Sequence, residues 1–368
     1  MKFHRIVIKL GTSTLTAGTA NLSSPRIVEL VRQMAQLHEL GLEFALVSSG
    51  AIAAGREHLN FPQLPKDIPI KQMLAAVGQP RLMSHYEMLF GLYHLKVGQI
   101  LLTRSDLSDR RRYLNSRNTL EALLSQRVIP IVNENDSVAT EEIRVGDNDN
   151  LSAMVANLIE ADLLILLTDQ AGLYTADPRI NPDAKLIKEI TSEKIPEEVW
   201  QAAGSSANHL GTGGMVTKLQ AADLARRSGT FVVIAPGSEA DVLVRVVREE
   251  AIGTRFTPVS TAVESRQRYL LAGGKAIDGL LVDEGAVQAL RKGGSLLPVG
   301  VIGVKGKFDR GDVVSVLEAS NHEVARGLAN YSAAEMARIQ GRHSSEIESI
   351  LGYTYTEEII HRNNLVLL

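Results

Sequence analysis

Short, almost continuously apolar runs alternate with longer amphipathic stretches over residues 5–235, and this alternation most constrains the fold. A strand that is apolar at every position must be buried on both faces, as in a parallel sheet covered by helices on each side. The pattern therefore predicts an α/β fold, a three-layer α/β/α sandwich around a mainly parallel sheet. The predicted strands are residues 5–10, 43–48, 97–103, 128–133, 163–168 and 230–235, and the predicted helices are residues 25–40, 80–94, 115–126, 150–160 and 217–228.

A second, smaller domain is predicted after about residue 256, where the helical patterns shorten and glycine-rich turns separate short apolar runs. The expected strands there are residues 279–282, 295–297, 300–305 and 313–317. We therefore expect a mainly β domain. The predicted organisation is residues 1–256 for the first domain, 257–274 for a linker, 275–354 for the second domain and 355–368 for a C-terminal tail.

Composition excludes several classes of protein. The chain has no cysteine, which excludes disulfides, thiolate metal sites and cysteine nucleophiles. A formal net charge of −3 argues against a surface built throughout for nucleic acid. No apolar run approaches the roughly 20 residues that a membrane helix requires, and no leader-like segment opens the sequence. A cytoplasmic enzyme without a membrane anchor is the expectation.

Two predicted strand ends carry features that suit an anion, and ligands of parallel sheets bind beyond such ends. Lys9 lies near the end of the first strand, and Gly11 would let a phosphate approach the backbone. A buried lysine is costly without an anionic partner, although a lysine at a strand end can also extend to the surface. The second junction, Ser-Ser-Gly at 48–50, exposes hydroxyl and N–H groups that suit an anion and equally suit any tight turn.

Two dense clusters of Asn and Asp are the most unusual feature of the sequence. Asn-Glu-Asn-Asp-Ser at 133–137 directly follows a predicted strand, and Gly-Asp-Asn-Asp-Asn follows at 146–150. Asn and Asp are common in turns, and this preference accounts for one such cluster, but it accounts poorly for two clusters so close together. Amides and carboxylates gathered at a strand end can hold an amino group, a carboxylate and a metal-bound phosphate. We therefore expect a binding site here.

The other candidate elements lie further along the chain. Thr168 and Asp169 end a predicted strand, where the acid could ligate a metal, contact a nucleotide or cap a helix. A glycine-rich segment, Gly-Thr-Gly-Gly-Met-Val-Thr-Lys at 211–218, leads into a predicted helix. Glycines before a helix expose N–H groups and the positive end of the helix dipole to a phosphate, whereas the alternative is a surface loop. The segment matches neither the Walker A pattern nor G-x-G-x-x-G.

Two lysines, two glycine-containing turns and an Asn/Asp-rich centre together predict a phosphoryl-transfer site. Such catalysis depends on positioning and on neutralising charge at the transferring group. Lys9 and Lys218, placed on opposite sides of the migrating phosphate, would supply that neutralisation.

With these motifs the chain resembles the amino acid kinase family over nearly its whole length, to about residue 353. Lys-Leu-Gly and Thr-Asp-x-x-Gly-Leu-Tyr are shared by the wider family, and the other motifs together are similar to those of its members that phosphorylate the γ-carboxylate of L-glutamate, the first step of proline biosynthesis. The motifs are Val-Ile-Lys-Leu-Gly-Thr-Ser (7–13), Val-Ser-Ser-Gly-Ala-Ile-Ala-Ala-Gly (47–55), Asn-Glu-Asn-Asp (133–136), Val-Gly-Asp-Asn-Asp-Asn-Leu-Ser-Ala (145–153), Leu-Leu-Thr-Asp-Gln-Ala-Gly-Leu-Tyr-Thr-Ala-Asp-Pro-Arg (166–179) and the segment 211–218.

The resemblance implies a role for each matching residue. Lys9 and Lys218 would flank the transferring phosphoryl group, with Asp149 orienting both; these three are the expected catalytic residues. Ser49, Asp136 and Asn148 would bind glutamate, with Asp136 suited to the α-ammonium. The nucleotide site would be formed by Lys9, Thr168, Asp169, Thr212, Gly213, Gly214, Met215, Val216, Thr217 and Lys218.

The resemblance also implies ligands and partners. ATP would be the co-substrate, accompanied by Mg²⁺ whose protein ligands the sequence does not name. L-proline would act as a feedback inhibitor competing with glutamate at the excursion between the two Asn/Asp clusters. The family suggests a homotetramer built through the kinase domain.

The second domain resembles a PUA domain through the segments at 282–286, 293–298, 304–312 and 325–332. PUA domains of RNA-modifying enzymes bind RNA. Because acidic and basic residues are nearly balanced over 275–353 and no aromatic stacking platform is evident, a structural or regulatory role is the favoured interpretation here.

Two other functions stay open at this stage. The chain could be another amino acid kinase, acting on aspartate, N-acetylglutamate or carbamate; the Asn/Asp clusters favour glutamate because a free α-ammonium needs a carboxylate partner. Alternatively, it could be an RNA-binding or regulatory protein with a vestigial kinase fold, against which the intact Lys9, Asp149 and Lys218 count.

Overall fold

The structure, a computed structural model, describes residues 2–61, 63, 67–139, 148–204, 214–261 and 278–368. These residues fall into two units. One unit comprises Met1–Leu107 and Ser116–Ala262, and the other comprises Ser108–Asn115 and Val263–Leu368.

The first unit is built on a mainly parallel sheet that has, within the described residues, the strand order β3-β4-β2-β1-β5-β7-β8-β6. Every neighbouring pair is parallel except β7 and β8. All six strands predicted for this part of the chain are present, and the sequence missed the short edge strand β6 and the short strand β8 beside it. The strands are β1 Arg5–Leu10, β2 Glu43–Ser48, β3 Lys96–Leu102, β4 Val128–Glu134, β5 Leu163–Thr168, β6 Glu189–Ile190, β7 Phe231–Pro236 and β8 Thr254–Phe256.

Helices cover both faces of this sheet, as the burial of β1 and β5 along nearly their whole length requires. One group of helices packs around α2 and another around the α7–α9 pair. The predicted three-layer α/β/α arrangement is therefore confirmed. The helices are α1 Thr12–Thr16, α2 Ser24–Glu39, α3 Ala51–His58, α4 Ile68–Gly91, α5 Arg104–Ser108, α6 Arg110–Ser125, α7 Asn148–Leu158, α8 Glu197–Gly204, α9 Met215–Arg227 and α10 Val242–Val247.

The longest helix, α4, differs most from its prediction. The sequence places a helix start at Pro80, because proline is common in the first turn of helices, but α4 begins twelve residues earlier, at Ile68. Pro80 instead lies inside the helix, which runs through it to Gly91. The start is marked by Asp67, whose carboxylate accepts a hydrogen bond from the N–H of Ile70 at 3.2 Å.

Two glycines let α3 and α4 cross with their backbones in contact. A Cβ on Gly78 would lie 1.8 Å from the carbonyl oxygen of Ala51, and a Cβ on Gly55 would lie 2.0 Å from that of Leu74. Any other residue at either position would force the two helices apart. The crossing holds α4 beside α3, which follows directly from the carboxyl end of β2.

The second unit contains a separate sheet with the order β10-β9-β11-β12-β13 among its described residues, so the predicted mainly β unit is confirmed. Residues 295–297, expected as a strand, form only an isolated bridge between Leu296 and Ile360. The elements are β9 Gly279–Val282, α11 Glu284–Arg291, β10 Val301–Lys305, β11 Val313–Leu317, β12 Glu323–Leu328, α12 Ala333–Ile339, α13 Ile347–Leu351 and β13 Leu365–Leu367. β13 pairs with β12, so part of the segment that the sequence sets aside as a tail belongs to this sheet.

An aromatic cluster that the sequence did not indicate lies in the second unit. The ring of Tyr355 lies 5.6 Å from that of Tyr331 and 5.2 Å from that of Tyr353, and the Arg310 guanidinium is 3.8 Å from its centroid. Arg310 and Tyr331 are buried, which leaves Tyr353 as the ring most open to solvent. The cluster therefore packs the unit's interior more than it offers a surface for stacking bases.

Among the described helices, none combines the length and the apolar character needed to cross a lipid bilayer.

Candidate active site

Lys9 provides the first charged group of the candidate site. It is the second-last residue of β1, which lies in the sheet between β2 and β5, and its side chain is only 5% exposed. Its ammonium nitrogen lies 3.3 Å from the position a Cβ would occupy on Gly11. The side chain therefore folds over the glycine at the strand end instead of extending to the surface.

Asp149 is the buried carboxylate at the centre of the site. It lies in the first turn of α7 and is fully buried. Its Oδ1 lies 2.5 Å from Lys9 Nζ, and its Oδ2 lies 3.1 Å from Lys218 Nζ. Burial alone would raise the pKa of Asp149, but the charges of Lys9 and Lys218 lower this pKa by more, so it falls well below the usual range.

Lys218 reaches the same carboxylate from the first turn of α9. The preceding residue, Thr217, donates its hydroxyl to Asp149 Oδ2 at 2.7 Å and lies 2.8 Å from the carbonyl oxygen of Gly214. Lys218 is 7% exposed. Lys9, Asp149 and Lys218 together carry one net positive charge in a nearly water-free setting, where an anionic ligand would be strongly attracted.

The first Asn/Asp cluster and the Ser-Ser-Gly turn meet beside these charges. Asn148, the first residue of α7, donates its amide to Ser49 Oγ at 2.9 Å and to Asn133 Oδ1 at 3.0 Å. Ser49 follows β2, and Gly50 after it has φ of 105°, a left-handed turn that glycine favours. Ser49 and Asn148, predicted from different segments, are therefore hydrogen-bonded neighbours.

Sequence reasoning missed Gln79 of α4. Its Oε1 accepts a hydrogen bond from Asn133 Nδ2 at 2.8 Å, and the side chain is buried. A single glutamine within a helical pattern carries no signal of a site. Only the crossing of α3 and α4 brings it to the end of β4.

Asp136 lies two residues beyond β4 and is partly buried. The backbone just after it is tied to α4, because Gln72 Nε2 lies 3.4 Å from the carbonyl oxygen of Ser137 and 3.3 Å from that of Ala139. The predicted excursion between the clusters, residues 138–145, lies outside the described part of the chain from residue 140 onwards, as do residues 146 and 147 of the second cluster.

The residues predicted to bind the nucleotide lie at two places, the end of β5 and the start of α9. Thr168 ends β5 and is buried, and its hydroxyl lies 3.1 Å from Oδ1 of the exposed Asp169. Gly214 is the N-cap of α9, whose first residues are Met215 and Val216. Thr212 and Gly213 lie outside the described residues.

A cleft lies between these two places. Its walls include Gln170, Leu173 and Tyr174 from the chain after β5, together with Ala203 and Met215. The lining mixes apolar residues and Tyr174 with the polar Gln170 and Asp177, next to a helix start that is capped by a glycine.

Metal-binding clusters are a separate question. No group of three or more His, Asp or Glu side chains that could hold a metal ion occurs among the described residues. Asp149, the most buried acid, has both oxygens engaged by lysines.

Comparison with known proteins identifies similar chains. The model of the amino acid kinase family matches residues 4–236, and the PUA domain model matches residues 279–351. A protein named glutamate 5-kinase from Shewanella oneidensis is 54% identical over 100% of this chain and 98% of its own length. Proteins of the same name from Photobacterium profundum and Herpetosiphon aurantiacus are each 55% identical, over 99% and 98% of this chain and 96% and 98% of their own lengths. Among solved structures, a UMP kinase from Bacillus anthracis aligns over 71% of this chain and 98% of its own, with 16% identity and a TM-score of 0.47.

Proposed function

The chain belongs to the amino acid kinase family, and we propose that it transfers the γ-phosphoryl group of ATP to the γ-carboxylate of L-glutamate, forming L-glutamyl 5-phosphate and ADP. The relatives named glutamate 5-kinase match it along essentially their full length, which supports this substrate pair. The product is the activated acid with which proline biosynthesis begins.

One observation carries the proposal: Lys9 and Lys218, 209 positions apart in sequence (218 − 9), meet at the carboxylate of Asp149. In the reaction, a γ-carboxylate oxygen of glutamate attacks the γ-phosphorus while the bond to the β–γ bridging oxygen breaks. Negative charge on the phosphoryl oxygens must be balanced throughout, because the attacking and leaving groups are themselves anions. Two ammonium groups beside the migrating group supply that balance.

In this proposal Asp149 is a positioning residue, which acts through the two lysines that it pairs with. Its carboxylate pairs with both buried ammonium groups, since a buried charge without a partner is costly. It also fixes where both ammonium groups point before substrate arrives, so that they need little reorganisation during the reaction. Thr217 holds one of its oxygens in place.

Substrate binding divides between the two sides of this centre. Ser49, Asp136 and Asn148 are assigned to glutamate, and the aspartate supplies the carboxylate that an α-ammonium requires. Thr168, Asp169 and the segment Thr212–Lys218 are assigned to ATP, with the N–H groups at the start of α9 facing the phosphates and the neighbouring cleft taking the base. Mg²⁺ would enter as MgATP.

Trapping the acyl phosphate as a hydroxamate tests the proposal. Purified protein with MgATP, L-glutamate and hydroxylamine should form the hydroxamate. L-Aspartate and N-acetyl-L-glutamate, the substrates of the rival kinases, should give little product. Preference for either rival substrate would overturn the assignment of glutamate while leaving the kinase assignment intact.

The C-terminal unit is assigned a structural or regulatory role. Its buried Arg310 and Tyr331 leave little of the aromatic cluster available to bases. Inhibition by L-proline, the homotetramer and the cytoplasmic location remain predictions.

A further inference from the structure

Three buried carboxamides form a continuous hydrogen-bonded chain at the amino acid side of the site. Gln79 Oε1 accepts from Asn133 Nδ2 at 2.8 Å, and Asn133 Oδ1 accepts from Asn148 Nδ2 at 3.0 Å. Gln79, Asn133 and Asn148 are each at most 8% exposed. We call this the amide chain.

A backbone group fixes the direction of the amide chain. The N–H of Glu134 donates to Asn133 Oδ1 at 2.9 Å, and a main-chain N–H can only donate. Asn133 must therefore present its oxygen on that side and its NH₂ to Gln79. It follows that Gln79 presents its oxygen to Asn133 and that Asn148 presents its NH₂.

This direction leaves one unused group at each end of the amide chain. Gln79 Nε2, a donor, and Asn148 Oδ1, an acceptor, are both buried and have no hydrogen-bond partner among the described residues. Buried polar groups are almost always paired, because an unpaired one loses its interaction with water without replacement. The two ends therefore indicate a ligand that offers both an acceptor and a donor.

We propose that Gln79 is a specificity-determining residue whose Nε2 donates to the α-carboxylate of the bound amino acid, while the other end of the amide chain accepts from its ammonium. This inference rests on the proposed function, since it specifies how the head group of that substrate is bound. A zwitterionic α-amino acid offers both an anionic acceptor and a cationic donor. The amide chain offers an uncharged donor for the carboxylate and an uncharged acceptor for the ammonium.

The placement of α4 supports a role in binding. Gln72, Gln79 and Tyr86 are spaced by seven residues and so lie along one face of the helix. Gln72 contacts the backbone after Asp136, Gln79 contacts Asn133, and the Tyr86 hydroxyl lies 2.7 Å from Ser48 Oγ. This face of α4 thus runs along the carboxyl ends of β4 and β2, where Asp136 and Ser49 are located.

Gln79→Glu and Gln79→Met test the proposal, with Gln36→Glu as the matched control. In Gln79→Glu, one carboxylate oxygen can still accept a hydrogen bond from Asn133. The other oxygen replaces the Nε2 donor and would face the α-carboxylate of the substrate, which it repels. We expect the KM for L-glutamate to rise by about 10–100-fold at pH 8, with the KM for ATP unchanged. Gln79→Met keeps the side-chain volume and removes the donor, so we expect a rise of about 10-fold or more. Gln36 is an exposed residue of α2, where the same added charge should have no effect.

The pH dependence separates a contact with substrate from a structural effect. A carboxyl introduced beside a bound carboxylate has a raised pKa and regains a donor on protonation. The KM of Gln79→Glu relative to the unmodified protein should therefore fall as the pH is lowered from 8 to 6, whereas that of Gln79→Met should stay constant. Melting temperatures measured in parallel identify any loss of folding.

The outcomes distinguish this inference from the proposed function. If the unmodified protein makes no hydroxamate from glutamate, the proposed function fails. If it does, and Gln79→Glu folds with an unchanged KM for glutamate or with equal changes in both KM values, this inference is wrong.

Discussion

Lys9 and Lys218 bind opposite oxygens of a single carboxylate, with Lys9 Nζ 2.5 Å from Oδ1 of Asp149 and Lys218 Nζ 3.1 Å from Oδ2. One lysine comes from the central strand β1 and the other from the first turn of α9. The arrangement assembles two cations before any phosphate is bound. Its consequences can be measured separately for the lysines, for the carboxylate and for the helices around them.

Replacing either lysine should act on the chemical step. We expect Lys218→Ala and Lys9→Ala each to lower kcat by about 10²–10³-fold, because each removes one cation from the transferring phosphoryl group. Hydroxamate formation at saturating ATP and glutamate measures this. Lys185→Ala, at an exposed position, is the control and should retain full activity. Unchanged product formation by Lys218→Ala would remove that residue from the mechanism.

Replacing the shared carboxylate should affect both stability and rate. Asp149→Asn leaves two buried ammonium groups without an anion, so we expect the free energy of unfolding to fall by about 3–5 kcal/mol. The kcat should fall by about 10²-fold or more, since the lysines lose both orientation and charge. Urea unfolding and the hydroxamate assay measure the two effects, with the exposed Asp183→Asn as control. A variant that keeps full kcat would show that the lysines need no common partner.

The pH dependence of stability should report the same carboxylate. Lys9 and Lys218 hold the pKa of Asp149 below its ordinary value against the opposing effect of burial. Its contribution to stability is therefore fully present above the unfolded-state pKa of about 3.9 and is lost as the pH falls through the lower folded-state pKa. The difference in unfolding free energy between the unmodified protein and Asp149→Asn should be constant from pH 7 to 5 and should shrink below about pH 4. A difference that grew in acid would contradict this sign.

The crossing of α3 and α4 should tolerate no side chain at Gly78. A Cβ there would lie 1.8 Å from the carbonyl oxygen of Ala51, so Gly78→Ala must push the helices apart at a cost of about 1–3 kcal/mol. Because Gln79 is the next residue, we also expect the KM for glutamate to rise. Gly91→Ala is the control: it lies in the same helix, a Cβ there meets no atom within 4 Å, and alanine should stabilise the helix slightly. Equal stability of the two variants would refute the tight crossing.

The sheet of the first unit could be predicted because its strands are buried on both faces, which leaves an uninterrupted apolar signal, as in Leu163–Thr168. The short strand Thr254–Phe256, which lies beside the edge strand of the sheet, has no such signal. The start of α4 was missed because Pro80 reads as a helix start, and nothing local shows that the helix continues through it. The helix α3 is absent from the predicted helices, since its small residues serve a tight crossing and give little amphipathic pattern.

Some residues of the candidate site could likewise be predicted from the sequence, and others could not. Lys9, Asp149 and Lys218 could be proposed from motifs, because residues that hold phosphate occur in short local patterns. Their meeting at one carboxylate was implied only by the resemblance to the kinase family, because it depends on how β1, α7 and α9 pack, which no local pattern encodes. Gln79 could not be found at all. It belongs to the site through a hydrogen bond to Asn133, and a pair separated by 54 residues leaves no trace in a single sequence.

The hydrogen bond from the N–H of Glu134 to Asn133 has a consequence for which mutations the protein can accept. The order of donors and acceptors in the amide chain originates in a peptide group, which every residue except proline possesses. Nineteen of the twenty amino acids at position 134 would therefore leave that order intact, whatever their side chains do, and Glu134→Pro alone would delete the donor. The order of donors and acceptors in the amide chain is thus set by a main-chain N–H, a group that substitution by any residue other than proline leaves unchanged.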